Sequence, residues 1–444
     1  MFKTIRRYYW VTKSFLARHS KIIVRTTSIV LSLILIFFLF SKYIPTFKTT
    51  TRLGRVGKYT IETFPIDIQL MISSGLVNVE ENGTIIPKLA KSWEVRDDDK
   101  TYIFTLDDTQ KWHDGSHLTQ DDITYNFKDV EVSRGEGTIT YRLKEPFSPF
   151  FSAVSRPILK KNKLGTGEFR LVKSVVSTGV LQSLTLESET ERRIYKFYPT
   201  ETSSLTAYKL GEVDQVERLS FVSESLLHDS SNHVEASAVS SAQQSVLFFN
   251  NNDALLTSKS ARQALAYAIR DKTFGKERSL SPLDQTSWAY NSLVKTYDFD
   301  PEKARSLFTQ DIKDPGSQTL ELKTMLQYLD VAESIATSWR ETLGVKVDVK
   351  VVSSVSTDYQ ILLTDFTSPI DPDQYTIWHS TQATNFTHFS NLKIDKLLED
   401  GRRTSDQKLR KEIYQDFQRF LLEDCPAVFL FKSSSFTLSR KTLL

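Results

Sequence analysis

Residues 84–106 alternate between apolar and polar. Trp93 and Val95 stand between polar neighbours, Asp97, Asp98 and Asp99 interrupt, and Tyr102, Phe104 and Leu106 resume the period of two. That pattern predicts strands joined at an acidic turn. Lys111-Trp112-His113-Asp114-Gly115 reads as a strand ending in a turn, and Thr138–Leu143 as another short strand, closed by the segment 146–149. The second half changes period. Residues 258–270 carry Ala261, Ala264, Leu265, Ala268 and Ile269 at helical spacing, and 331–343 place Val331, Ile335, Ala336 and Trp339 on one helical face before Gly344 stops the run. Residues 320–325 read as a strand, Val345, Val347, Val349 and Val351 alternate in the next, and 359–364 give one more. Thr404 and Gln407 form a capping-box pattern opening a helix to about residue 423, and Cys425-Pro426 breaks it before the apolar strand 427–431. A β-rich first part followed by strand–helix–strand order predicts an α/β, multi-lobed protein.

The N-terminal end has a different pattern. Residues 26–41 carry no charge, and 29–40 are almost wholly Ile, Val, Leu and Phe. Sixteen uncharged residues are slightly fewer than the ~20 that span a bilayer, and apolar neighbours on both sides extend the run. Lys3, Arg6, Arg7, Lys13, Arg18, Lys21 and Arg25 precede it; Lys42, Lys48, Arg52, Arg55 and Lys58 follow, more dispersed. The positive-inside rule then predicts a single-pass cell-membrane anchor at 26–44, a cytoplasmic basic segment at 1–25, a linker at 45–57 and an extracytoplasmic body. A cleaved signal peptide fits less well, because no small-x-small site follows the run. No cysteine follows it closely either, which argues against lipoprotein processing; Cys425 is the only one in the chain.

Charge sharpens this division. The formal net charge of the 444-residue chain is +3, yet the first 61 residues hold 12 Lys and Arg and no Asp or Glu. Residues 62–444 therefore carry 45 basic against 54 acidic groups, a net of −9. A net-acidic body argues against nucleic acid as a partner.

The chemistry-bearing motifs mostly read as architecture. His113 and His117 are four apart, but Gly115 between them favours a hairpin turn over a metal-binding helix, and no metal or other cofactor is expected. Gly54-Arg55-Val56-Gly57-Lys58 has the wrong spacing for a phosphate loop, and Gly165-Thr166-Gly167 lacks a third glycine. No G-x-S-x-G elbow occurs, and no enzymatic activity is expected.

Several segments, in order, resemble the large extracytoplasmic solute-binding proteins of family 5, which serve oligopeptide, dipeptide and nickel ABC transporters. The resemblance runs from Pro87-Lys88-Leu89-Ala90-Lys91-Ser92-Trp93-Glu94-Val95 through 100–106, Lys111-Trp112-His113-Asp114-Gly115 and 118–127. It continues with Gly165-Thr166-Gly167-Glu168-Phe169, Leu210-Gly211-Glu212-Val213-Asp214, Phe248-Phe249-Asn250 and 262–269. Asp371-Pro372-Asp373-Gln374-Tyr375, Trp378-His379-Ser380 and Asp395-Lys396-Leu397-Leu398 complete it. It implies a periplasmic-binding-protein type II-like clamshell with a small inserted β-rich lobe. Lobe I is expected at 58–82, 150–255 and 425–444, the small lobe at 83–149, and lobe II at 256–424.

The same resemblance implies capture of an extended peptide largely through main-chain hydrogen bonds, with a carboxylate meeting its amine. Closure would then present a surface to ABC permease subunits. Asp365, Asp371, Tyr375, Trp378, His379, Trp288 and Tyr290 are the candidate ligand-binding residues. For each the structural alternative stands beside the functional one. Asp371 and Asp373 suit turn chemistry, Trp288 and Tyr290 suit core packing, and Asp365 lies six residues before Asp371, a wider gap than in the family. The chain is also shorter than its relatives between about 127 and 157. A nickel chelate, an opine or a sugar is the alternative solute, and an anchored sensor with an impaired pocket the alternative function.

Overall fold

A computed structural model describes residues 2–40, 48–161, 163–229, 231–238, 243–352, 355 and 357–441. The chain divides into two compact units, Met1–Thr49 with Glu189–Glu191, and Thr50–Ser188 with Arg192–Leu444. The first contains one long helix, Phe2–Phe40, on which Ile29, Val30, Leu31, Leu33, Ile34 and Leu35 are exposed. No helix among the described residues is long and apolar enough to cross a membrane. Residues 41–44 of the expected anchor, and 45–47 of the expected linker, lie outside the described residues.

The second unit is built on three main sheets, with the two-stranded pair Val77–Val79 and Ile85–Pro87 beside them. A seven-stranded sheet runs in the order Asn232–Ala238, Ser434–Arg440, Gln215–Leu219, Thr49–Val56, Glu191–Tyr198, Val180–Glu187 and Arg170–Ser177. A four-stranded antiparallel sheet, Ala90–Arg96, Thr101–Leu106, Thr138–Leu143 and Val130–Gly135, carries the small lobe. Tyr102, Phe104, Trp112, Tyr141 and Phe150 fill its core, which draws in residues from Leu76 to Ile158 and so exceeds the expected 83–149 at both ends.

The third sheet has the order Lys346–Val352, Thr319–Met325, Ile361–Thr367, Gln243–Phe249 and Ala427–Lys432. Helices Lys259–Tyr267, Pro301–Asp311 and Leu329–Leu343 contribute to the core on one side, while Leu392–Arg403 and Gln407–Asp424 contribute to the core on the other. This corrects the expected lobe limits. Gln243–Phe249 and Ala427–Lys432, expected in lobe I, both pair into the second-lobe sheet, Gln243–Phe249 running antiparallel between Ile361–Thr367 and Ala427–Lys432. The apolar second half of Gln243–Phe249 and the apolar run of Ala427–Lys432 are buried on both faces of the sheet. Strands of the two large sheets therefore follow one another in the chain at Ala238 and Gln243, and again on either side of Ser433, whose N–H donates to the Gln243 carbonyl at 2.9 Å.

Local signals account for several ends. Gly344 closes Leu329–Leu343 with φ 73°, a left-handed conformation that costs glycine little. The last long helix starts two residues later than its capping-box reading. Thr404 is the C-cap of Leu392–Arg403, and the carboxylate of Asp406 accepts from Leu409 N to open Gln407–Asp424. Gly165 is needed for close approach, since a Cβ there would lie 1.9 Å from the Ile72 carbonyl oxygen.

Candidate ligand-binding site

The small lobe meets the second lobe along one short seam. Ser148 N donates to Arg402 O at 2.7 Å, and the Ser148 hydroxyl to Thr404 O. Arg403 pairs with Glu145 at 2.8 Å, and the Arg402 guanidinium lies 5.3 Å from the Phe147 ring centre. Pro149 follows Ser148 and opens the short helix Phe150–Val154, which fixes the chain direction at the contact.

Two cavities flank the seam. The smaller, about 210 Å³, is lined on the small-lobe side by Val79, Val95, Asp99, Tyr102, Ser148 and Phe151, and across from them by Trp288, Asp371, Gln407 and Arg410. The larger, about 420 Å³, sits among Phe127, Phe147, Phe150, Tyr375, Arg402 and Arg403. Solute sites of roughly 300–1,000 Å³ combine apolar walls with a few convergent polar groups, and these two cavities have that mixed character.

Electrostatics on the second-lobe wall centre on two ion pairs. Arg410 Nη1 and Nη2 donate to the two Asp371 oxygens at 2.9 and 2.6 Å, with side chains only 7% and 14% exposed. Burial works against the Arg410 charge, but the Asp371 carboxylate outweighs it and holds the guanidinium above its usual range. Arg410 Nε also donates to Gly401 O, and the guanidinium lies 5.6 Å from the Trp288 ring centre. Beside it, Arg402 Nε donates to Asp373 at 2.9 Å; burial pushes the Asp373 carboxyl up against the pull of Arg402. Asp371 and Asp373 accept from backbone N–H groups two residues on, the turn chemistry expected of Asp-Pro-Asp. On the facing wall, burial pushes the Tyr102 hydroxyl up to about 12, so it stays protonated and able to donate.

The candidate residues do not gather in one place. Trp288 and Asp371 line the smaller cavity and Tyr375 the larger. Trp378 is fully buried instead, its indole N–H on Gln374 Oε1 at 2.7 Å and its ring among Phe248, Phe366 and Phe429. His379 is buried behind the wall, stacked on Tyr375 with ring centres 4.1 Å apart. Tyr290 lines neither cavity and accepts a hydrogen bond from Gln415 through its carbonyl. Asp365 sits at the crossing between the large sheets, where its Oδ1 accepts from Tyr328 Oη at 2.5 Å and Ser433 Oγ at 2.7 Å.

The residues that sequence reasoning missed are Arg410, Asp99, Tyr102 and Ser148. Asp99 was legible only as a turn, and the 39 residues separating Arg410 from Asp371 hide their pairing. The two histidines of the hairpin have architectural work. Gly165 N donates to His113 Nδ1 at 3.2 Å and His113 Nε2 meets Gly167 O at 2.8 Å, which the Nε2–H tautomer satisfies together. His117 lies in a bridge with Lys111. No group of three or more candidate metal-ligating side chains occurs among the described residues.

The model of the bacterial extracellular solute-binding proteins, family 5, matches residues 84–135 and 132–387. Among curated proteins, a probable D,D-dipeptide-binding periplasmic protein of Escherichia coli is 22% identical over 408 residues, covering 78% of this chain and 79% of that protein. The dipeptide-binding protein of the same organism is 24% identical over 449 residues, covering 80% and 82%. Among solved structures, NikZ from Campylobacter jejuni in complex with Ni(L-His) aligns with a TM-score of 0.72 at 24% identity, covering 88% of this chain and 94% of that one. The oligopeptide-binding protein AppA of Bacillus subtilis, in complex with a nonapeptide, aligns at 0.69 and 18% identity, covering 89% and 95%. The solved structures establish the α/β clamshell fold, and the relatives are solute-binding proteins, not enzymes. With the family model spanning well over half its length, the chain belongs to the bacterial extracellular solute-binding proteins, family 5.

Proposed function

We propose that this protein is a membrane-anchored extracytoplasmic receptor that captures short peptides and delivers them to an ABC transporter permease. One observation carries the reading: in a family 5 chain, two cavities with apolar walls and convergent polar groups lie on either side of a seam that two lobes close together. The curated relatives that bear dipeptide-binding names favour peptides over other solutes. The seam is small, a few hydrogen bonds and an exposed ion pair, so it opens at little cost. Solute touching both lobes then shifts the population toward the closed form, the one a permease would recognise.

The anchor is residues 26–44, supported by the uncharged run 26–41 and the basic residues before it. The full chain is then expected in the membrane fraction, and a chain starting at residue 48 in the soluble one. The solute class is tested by thermal shift of the full chain in detergent against tripeptides, nickel–histidine and sugars. Ligand at a hundred times its Kd stabilises the native state by about 2.7 kcal/mol. Tripeptides should raise the melting temperature. A shift from nickel–histidine alone would change the solute, and none from any class would end the receptor reading.

A further inference from the structure

The carboxylates available to a peptide's amino end are not equivalent. Asp365 Oδ1 already accepts from two hydroxyl groups, on Tyr328 and Ser433, both buried residues. It lines neither cavity, and one of those donors stands on the residue joining the two large sheets. Both Asp371 oxygens accept from Arg410, so a second cation would meet that guanidinium. Asp99 differs. It is half-buried, it lines the 210 Å³ cavity, and no described residue donates to its carboxylate or pairs with it.

Trp288 is also half-buried in this cavity, and its indole N–H donates to none of the described residues. Val79, Ile85, Val95 and Phe151 give the cavity an apolar side. Its charged groups are Asp99, Asp371 and Arg410, one negative charge in excess. The volume equals about seven times a water's share of ~30 Å³, room for one residue-sized group. Negative excess, an unpartnered carboxylate, a free indole donor and an apolar flank fit a monocation with an apolar body and a nearby carbonyl oxygen.

We infer that this cavity receives the free amino end of the solute: Asp99 takes the ammonium, and Trp288 takes the first residue's side chain and carbonyl oxygen. The inference rests on the peptide reading above and assigns Asp365 to the crossing between the sheets.

The test is equilibrium dialysis of the full chain in detergent against a mixture of free-amine tripeptides and their N-acetylated counterparts, with retained peptides counted by mass spectrometry. Asn tolerates the positive φ that Asp99 adopts, so Asp99→Asn keeps the turn. Wild type should retain the free-amine set over the acetylated one by about tenfold, the scale of one charge-assisted hydrogen bond. Asp99→Asn should remove that preference, while Asp365→Asn keeps it. Equal retention of acetylated peptides, loss in Asp365→Asn with none in Asp99→Asn, or no retention of either set would overturn the inference. If nickel–histidine or a sugar still stabilises the protein in that last case, it remains a solute receptor, while the peptide solute and the amino-end assignment both fall.

Discussion

Replacing Asp371 by alanine should be the most damaging single change in the wall of the site. Arg410 and Asp371 are joined by two hydrogen bonds of 2.9 and 2.6 Å and are almost fully removed from water. Two unit charges ~4 Å apart at an effective dielectric constant of ~20 attract by about 4 kcal/mol. Removing the carboxylate leaves Arg410 buried with the Gly401 carbonyl as its remaining backbone acceptor. Breaking one side of such a pair costs about 3–5 kcal/mol, because the other charge stays buried and uncompensated. The double change Asp371→Ala/Arg410→Met removes the uncompensated charge and should recover most of the loss, to within about 1–2 kcal/mol of wild type. Urea unfolding followed by tryptophan fluorescence reads both, with the midpoint moving and the slope unchanged. An Asp371→Ala cost below about 1 kcal/mol, the range of exposed pairs, would refute the reasoning. So would a double variant as unstable as the single one.

Three further outcomes follow from local geometry. Gly165→Ala drives a Cβ to 1.9 Å from the Ile72 carbonyl oxygen, so it should cost at least the ~1–3 kcal/mol of an overpacked core, read as a lower melting temperature. Lys272 is held by burial first, then by Arg278, down to about 7, below its unfolded 10.5. The unfolded chain binds the extra proton between those values, so this group makes stability rise with pH from about 7 to 10.5, by at most ~1.4 kcal/mol per unit. Lys272→Met should flatten that slope in denaturation curves taken at pH 7 and 9. Ser148→Pro removes both hydrogen bonds that Ser148 donates across the seam and should enlarge the radius of gyration in small-angle scattering, whereas Glu145→Gln, which breaks only an exposed pair, should leave it unchanged.

Much of the second lobe was legible because its periods are clean. Val345, Val347 and Val349 alternate into a strand, Gly344 stops the helix before it, and Pro426 separates the last long helix from the strand that follows. Buried strands hide better. Gln243–Phe249 is apolar throughout its second half, so no period of two shows which sheet it joins, and the lobe boundary was misplaced by it. The site was less legible than the fold. Trp378 carries the residue type of a ligand wall, yet the core claims it, as it claims most large aromatics. Asp99 looks like a turn because it is one, with φ 62°; that it also faces a cavity depends on Trp288, far along the chain.

The central claim, that the body closes on a peptide, is tested most directly by extracting whatever co-purifies with the full chain and identifying it by mass spectrometry. The account predicts short peptides with free amino ends, near one per chain. Protein that emerges empty, or carrying only a metal chelate or a sugar, would contradict it.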